Sequence, residues 1–306
     1  MKILVATEKP FAADAVQKIK QIIDNAGFEF ILFEKYTDKS QLLEAVTDVN
    51  AIIIRSDIID SEVMDAAKQL KIVVRAGAGY DNVDLQAATS HGVVVMNTPG
   101  QNANAVAELA LGLMVYAARN KFDGTSGTEL MGKKLGIHAF GNVGRNVARI
   151  AKGFGMEVYA YDAFVSAESI EKEGVKTLAS VEELYSTCQY VSINIPATAE
   201  TKNSINYALL EKMPKKAVLI NTARKEVINE TDLVKLMEDR QDFKYLTDVA
   251  PSKDAELKEK FPQRYFATPT KIGAQTAEAN NNAGIAAANQ IVDFFKNGNT
   301  KFQVNK

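Results

Sequence analysis

Short apolar runs alternate with segments of helical spacing along almost the whole chain. Residues 3–6, 28–33, 51–54, 72–74 and 93–96 are apolar stretches of strand length. Between them, residues 11–25, 41–46, 61–68 and 85–89 place apolar side chains at helical intervals, as Ala15, Ile19, Ile22 and Ile23 do. Strands that are apolar throughout and separated by helices predict a mostly parallel sheet covered on its faces. Asn97-Thr98-Pro99-Gly100 punctuates the chain as a predicted hinge before a long helix over residues 103–119. Residues 120–132, with three glycines and little apolar content, predict a loop. The alternation then resumes, with strands at 135–139, 158–161, 190–193, 218–220, 245–246 and 265–267. Helices are predicted at 204–212 and 230–238, with a last Ala- and Asn-rich helix over 275–296. No internal repeat is visible beyond two similar folding units in series.

The most informative stretch is LGIHAFGNVGRNVARIAKGFGMEVYAYD, residues 135–162. A strand enters a tight turn at Gly141-Asn142-Val143-Gly144, a helix follows, and a second strand ends on Asp162. Glycines there let the backbone approach a pyrophosphate, whose charge rests on free N–H groups at the helix N-terminus. Asp162, 18 residues after Gly144, is placed to accept both ribose hydroxyls of an adenosine. A carboxylate would repel a 2′-phosphate, so the pattern favours NAD over NADP as cofactor. The first glycine of the usual pattern is replaced by Ala139.

Composition narrows the classes further. At 306 residues the chain holds two full cores, and 46% hydrophobic content is ordinary for a globular protein. A net charge of −2 without Lys or Arg runs gives nucleic acid no general attraction. The start, MKILVATEKP, lacks a signal-peptide core, and no apolar stretch reaches membrane-spanning length, so a cytoplasmic protein without membrane partners is expected. Cys188 is the single cysteine. It is expected to be a buried, inert thiol, and no thiolate metal site is expected.

Candidate chemistry sits just past the strands, where open α/β sheets bind ligands. Arg55 follows Ile52-Ile53-Ile54, and Arg75 follows Ile72-Val73-Val74. Two guanidiniums there either grip a phosphate or pair with carboxylates such as Asp57 and Asp81. Arg224, just past residues 218–220, could hold a substrate carboxylate and polarise a neighbouring carbonyl. Asp248, past 245–246, could accept from a nicotinamide amide. His91 and His138, the only histidines, sit in a turn and within a strand and are expected to be structural. Hydride transfer from an alcohol needs a base. Lys271 is the candidate, with burial and a neighbouring cation such as Arg224 expected to lower its pKa.

Together these residues resemble the D-2-hydroxyacid dehydrogenase family, and within it the short phosphoglycerate-oxidising members that carry a lysine. The carriers are Val73–Asp84 (VVRAGAGYDNVD), Val94–Gly100 with Ala105-Val106-Ala107-Glu108, Gly127–Lys133, the Asn194–Thr201 loop, and Asn221-Thr222-Ala223-Arg224. The resemblance implies two doubly wound parallel-sheet, Rossmann-like domains with the active site in the cleft between them. Residues 1–98 and 273–306 would form the substrate domain, and 99–272 the NAD domain. It implies NAD, a homodimer through the NAD-binding domains, and oxidation of 3-phosphoglycerate to 3-phosphohydroxypyruvate at the head of serine synthesis. Arg55 and Arg75 would bind the phosphate, and Gly77 and Asn102 would touch substrate. Arg224 would be the catalytic arginine, with Pro196, Thr201, Thr222 and Ala223 on the cofactor side. Alternatives are another D-2-hydroxy acid as substrate, or an NADH-sensing binding protein.

Three departures accompany the resemblance. Lys271 stands where the family has its histidine. Val249-Ala250-Pro251-Ser252-Lys253 replaces the glutamate that orients this histidine, with Asp254 or Glu256 as weak substitutes. The loop before Gly127 is short for a family whose dimer contact it feeds. The chain also stops after its last helix, so an amino-acid-binding regulatory domain is not expected.

Overall fold

Strands of two to six residues, most of them with largely buried side chains, form two separate parallel sheets in the structure, a computed structural model describing residues 1–305. Lys306, which ends the predicted 273–306 segment, lies outside the described residues. Two compact units result: Met1–Asn102 with the segment from Thr276 onward, and Ala103–Gln275. The divisions fall at 102/103 and 275/276 rather than at 98/99 and 272/273.

The first unit contains β1 (Lys2–Thr7), α1 (Ala13–Asn25), β2 (Glu29–Glu34), α2 (Lys39–Ala45), β3 (Ala51–Ile54), α3 (Ser61–Ala66), β4 (Ile72–Arg75), α4 (Leu85–Ser90) and β5 (Val94–Asn97). Its five strands pair in the order β2-β1-β3-β4-β5, all parallel. Leu4, Ile52, Ile54 and Val73 face one core; Ile3, Val5, Ile53 and Val74 face the other. Ile52, Ile53 and Ile54 are fully buried, and truncating any one to Ala would cost about 2–5 kcal/mol. The chain's end returns to this sheet. Asn305 accepts from Val95 N at 2.7 Å and donates to Val93 O at 2.8 Å, covering the β5 edge.

The second unit runs through α5 (Ala103–Ala118), β6 (Lys134–His138), α6 (Asn142–Gly153), β7 (Glu157–Tyr161), α7 (Ala167–Glu171), β8 (Lys176–Thr177), α8 (Val181–Thr187) and β9 (Tyr190–Ile193). It continues through α9 (Tyr207–Leu210), β10 (Val218–Asn221), α10 (Glu230–Asp239), β11 (Lys244–Thr247), α11 (Asp254–Lys260) and β12 (Tyr265–Ala267). The final helix, α12 (Ala277–Asn297), packs in the first unit on α1, β3 and β4. Seven parallel strands pair in the order β12-β11-β10-β9-β6-β7-β8.

The pattern of apolar runs missed four short elements: β8, α7, α8 and α11. Each has seven residues or fewer, too few for a periodic signal to separate from its surroundings. The helix predicted over 204–212 is only Tyr207–Leu210. Within the predicted loop, Asn120, Lys121 and Phe122 all take left-handed φ values, of 47°, 59° and 61°. No helix among the described residues is long and apolar enough to cross a membrane.

Candidate active site

The strand order of the second sheet reverses at β6, which pairs with β7 on one side and β9 on the other. Such a reversal opens a crevice at the carboxyl ends of the strands. There Gly141 is the N-cap of α6 and supplies no capping side chain. The amides of the first turn, Asn142, Val143 and Gly144, are therefore available to an anion. Gly144 is required sterically: a Cβ would collide with the carbonyl oxygen of Ala139.

Ala139 itself has φ 79°, a conformation that glycine adopts freely and alanine does not. Ala139→Gly should therefore stabilise the protein by about 1 kcal/mol, raising Tm by roughly 2–4 °C in a unit of this size. Calorimetry of the two proteins checks this, with unchanged NAD affinity as the companion result.

Asp162, at the end of β7, accepts from Phe140 N on one oxygen at 2.7 Å. Its other oxygen accepts from Phe164 N at 2.8 Å and Val165 N at 3.0 Å. The carboxylate thus ties the glycine turn to the end of β7. Three of its roughly four acceptor directions are filled, leaving room for one ribose hydroxyl rather than the two expected. Further along the crevice, Asn194 Oδ1 after β9 and Thr222 Oγ1 after β10 are buried without a protein partner. Buried polar atoms of this kind call for a ligand, so the crevice fits a dinucleotide. Pro196 and Thr201 close the loop after β9, Thr201 Oγ1 donating to Pro196 O at 2.6 Å.

Asn221, fully buried at the end of β10, holds the next turn from both sides. Its Oδ1 accepts from Ala223 N at 2.9 Å, and its Nδ2 donates to Arg224 O at 3.0 Å. Arg224 Nη1 donates to Ala223 O at 3.0 Å, so the guanidinium curls beside its own turn.

Asp248 is buried, and its carboxylate is directed at the loop that carries Lys271. Oδ1 accepts from Thr268 Oγ1 and Ile272 N, and Oδ2 from Gly273 N, each at 2.8 Å. A Cβ on Gly273 would stand 2.8 Å from Oδ2, so the glycine admits the carboxylate. Asp248, the candidate acceptor for a nicotinamide amide, grips the backbone just after Lys271 in the structure. Asp248→Ala would leave two buried donors and one part-buried donor without an acceptor, at a cost of about 2–4 kcal/mol. Without any cofactor present, Tm should fall by roughly 5–15 °C. An unchanged Tm with only NAD affinity lowered would return Asp248 to the nicotinamide.

Lys271 lies past β12 with its side chain exposed, so the expected burial is not supplied by the protein's own atoms. Neither weak substitute for the missing glutamate is turned to this role. Asp254 is held by Lys258 and the Tyr265 hydroxyl at 2.7 Å each, and Glu256 pairs with Lys253 and Lys260.

His138 is buried beside Tyr185, and burial pushes its imidazole down to about 4. His91 meets Ala87 O and Asp65 at the surface. Burial pushes the Cys188 thiol up to about 12, which keeps it unreactive. No metal-binding cluster exists among the described residues.

In the first unit, Arg75 ends β4 in register with Ile54 of β3, so Arg55 and Arg75 leave the adjacent carboxyl ends of neighbouring strands, Arg55 one residue further along. Gly77, at φ 151°, makes room for Arg75: a Cβ there would fall on the guanidinium. Asp57 does not pair with the Arg55 guanidinium. Its carboxylate accepts from Arg55 N, Glu8 N and the Tyr36 hydroxyl, while Arg55 Nη1 donates to Lys9 O at 2.8 Å. Asn102 is the last residue of this unit, directly before α5.

A seven-stranded parallel sheet with a glycine turn, an uncapped helix N-terminus and a following acid defines a dinucleotide-binding dehydrogenase domain. Residues 100–269 match the D-isomer specific 2-hydroxyacid dehydrogenase NAD-binding domain, and the chain belongs to that family. Among solved structures it is similar to an NAD+-bound 3-phosphoglycerate dehydrogenase of Entamoeba histolytica, at 48% identity. That alignment has a TM-score of 0.88 and covers 100% of this chain and 99% of the other. It is 34% identical to the D-3-phosphoglycerate dehydrogenase of Methanocaldococcus jannaschii, over 83% of this chain and 51% of that one. It is 33% identical to the hydroxypyruvate reductase of Thermotoga maritima, over 86% of this chain and 90% of that one. The chain thus spans about half the length of the Methanocaldococcus relative.

Proposed function

We propose that the chain oxidises 3-phosphoglycerate to 3-phosphohydroxypyruvate with NAD, the opening step of the phosphorylated route to serine. The observation that carries this reading is the pair of arginines at the adjacent carboxyl ends of β3 and β4, one residue apart in register, with a glycine making room for the second. Similarity to the Entamoeba enzyme along the whole chain supports it.

The roles follow from the chemistry of each group. Arg55 and Arg75 hold the phosphate, and the backbone around Gly77 and the side chain of Asn102 touch the substrate. Arg224 clamps the carboxylate and polarises the C2 oxygen as its carbonyl forms. Lys271 takes the hydroxyl proton as the C2 hydride departs, and Asp248 fixes the loop from which it reaches. The amides of Gly141–Gly144 hold the pyrophosphate, Asp162 a ribose hydroxyl, and Pro196, Thr201, Thr222 and Ala223 line the cofactor side. When bound, NAD supplies the hydride acceptor. Substrate and nicotinamide also remove Lys271 from water, which favours its neutral, proton-accepting form. An amine needs no tautomer set for it, which is why the family's orienting glutamate can be missing beside Lys271. The protein acts in the cytoplasm as a homodimer through its NAD-binding domains.

The similarity to a hydroxypyruvate reductase favours a second reading, in which the substrate lacks the phosphate. NADH consumption with 3-phosphohydroxypyruvate and with hydroxypyruvate, measured side by side, separates the two. At least about 10³-fold higher kcat/KM for the phosphorylated acid is expected, because the other leaves two arginines without their ligand. Equal values would assign the chain to the second reading.

A further inference from the structure

The strand order of the first sheet also reverses once, between β1 and β3, and opens a crevice at their carboxyl ends. Arg55 enters that crevice directly from β3. Its guanidinium is held on three sides by groups of its own unit. Nη1 donates to Lys9 O at 2.8 Å and Pro10 O at 3.0 Å, both from the turn after β1. Nη2 donates to Asn280 Oδ1 at 2.7 Å, in the first turn of α12. The ring of Phe11 lies beneath the guanidinium, 5.2 Å from its carbon. Phe11 is buried against α12 at Gly284, where a Cβ would come within 2.9 Å of the ring.

These contacts use three of five guanidinium N–H groups and leave Nε–H and one Nη2–H. A free arginine loses rotamer entropy when a ligand fixes it; one already fixed loses less. Two of the three acceptors are backbone carbonyls and cannot be varied by sequence. The third, Asn280, is a neutral amide. A carboxylate in its place would hold the guanidinium equally well, but would cancel the charge offered to a dianion.

We propose that Asn280 is a positioning residue that aims Arg55 at the substrate phosphate, making the first turn of α12 a determinant of selectivity for phosphorylated acids. The inference rests on the phosphate role given to Arg55 above.

The test is a double-mutant cycle of Arg55→Ala and Asn280→Ala, with Asn280→Ser as a milder second variant. KM and kcat are measured for 3-phosphoglycerate and for D-glycerate, with Tm and NAD affinity confirming a folded protein. Asn280→Ala should raise KM for 3-phosphoglycerate about 10-fold, the equivalent of about 1.4 kcal/mol. It should leave kcat within about twofold and D-glycerate kinetics unchanged. In the Arg55→Ala background it should add nothing. Asn280→Asp should also weaken 3-phosphoglycerate binding, by cancelling charge rather than by releasing the side chain. An unchanged KM in both Asn280→Ala and Asn280→Ser, or an Asn280 effect that persists without Arg55, would overturn the inference and leave the phosphate role standing. If Arg55→Ala harmed both substrates equally, the phosphate role itself would fall, and the inference with it.

Discussion

Arg75→Leu is expected to lower kcat/KM for 3-phosphoglycerate by about 10²–10³-fold while changing that for D-glycerate by less than about threefold. Removing one partner of a desolvated charge pair costs about 2–5 kcal/mol, and a phosphate dianion held by two guanidiniums is such a pairing. Leucine keeps an apolar stem in place of the arginine's, so the loss reports the charge and not the fold. Arg75 is the sharper target of the two arginines, because Gly77 gives up its Cβ position to that side chain. Steady-state kinetics on both acids decide the matter. Equal losses on both would mean that the arginine supports the unit and does not read the phosphate.

Lys271→Ala should reduce kcat by about 10²–10⁴-fold, the range for a lost general base, with NAD affinity within about twofold of wild type. The surrounding loop should persist in the variant, because Asp248 binds the backbone of Ile272 and Gly273 and not the lysine side chain. A small primary amine added to the variant should restore part of the rate, in proportion to its concentration. Wild-type turnover in Lys271→Ala would transfer the proton to another group. Among the titratable side chains, His138 is sealed beside Tyr185. Asp254 and Glu256 are engaged by lysines on their own surface.

Much of the architecture was legible in the sequence because the strands are short and apolar on both faces. Ile52-Ile53-Ile54 and Tyr190–Ile193 bury every side chain, and such runs between amphipathic segments leave few alternatives to parallel sheets. The glycine turn was legible because steric demand writes itself into residue type, as at Gly144. What was hidden is the direction of polar side chains. Asp162 and Asp248 were placed at the correct strand ends, yet most of their acceptor capacity goes to local backbone amides. Whether a carboxylate faces a ligand or its own loop depends on turn geometry, which residue order does not encode. Asn280 was invisible for a related reason. It lies 225 residues from Arg55, in an Asn-rich helix where nothing marks one asparagine from the next. Asn194 and Thr222 carried a fainter signal, each following a buried strand at the sheet end where ligands collect.

The most direct test is NADH formation by the wild-type protein from 3-phosphoglycerate, set against D-glycerate at equal NAD. The account predicts sustained turnover of the phosphorylated acid, with kcat/KM at least about 10³-fold above that for D-glycerate. A protein that oxidised D-glycerate as well as 3-phosphoglycerate, or that bound NAD and turned over neither, would contradict it.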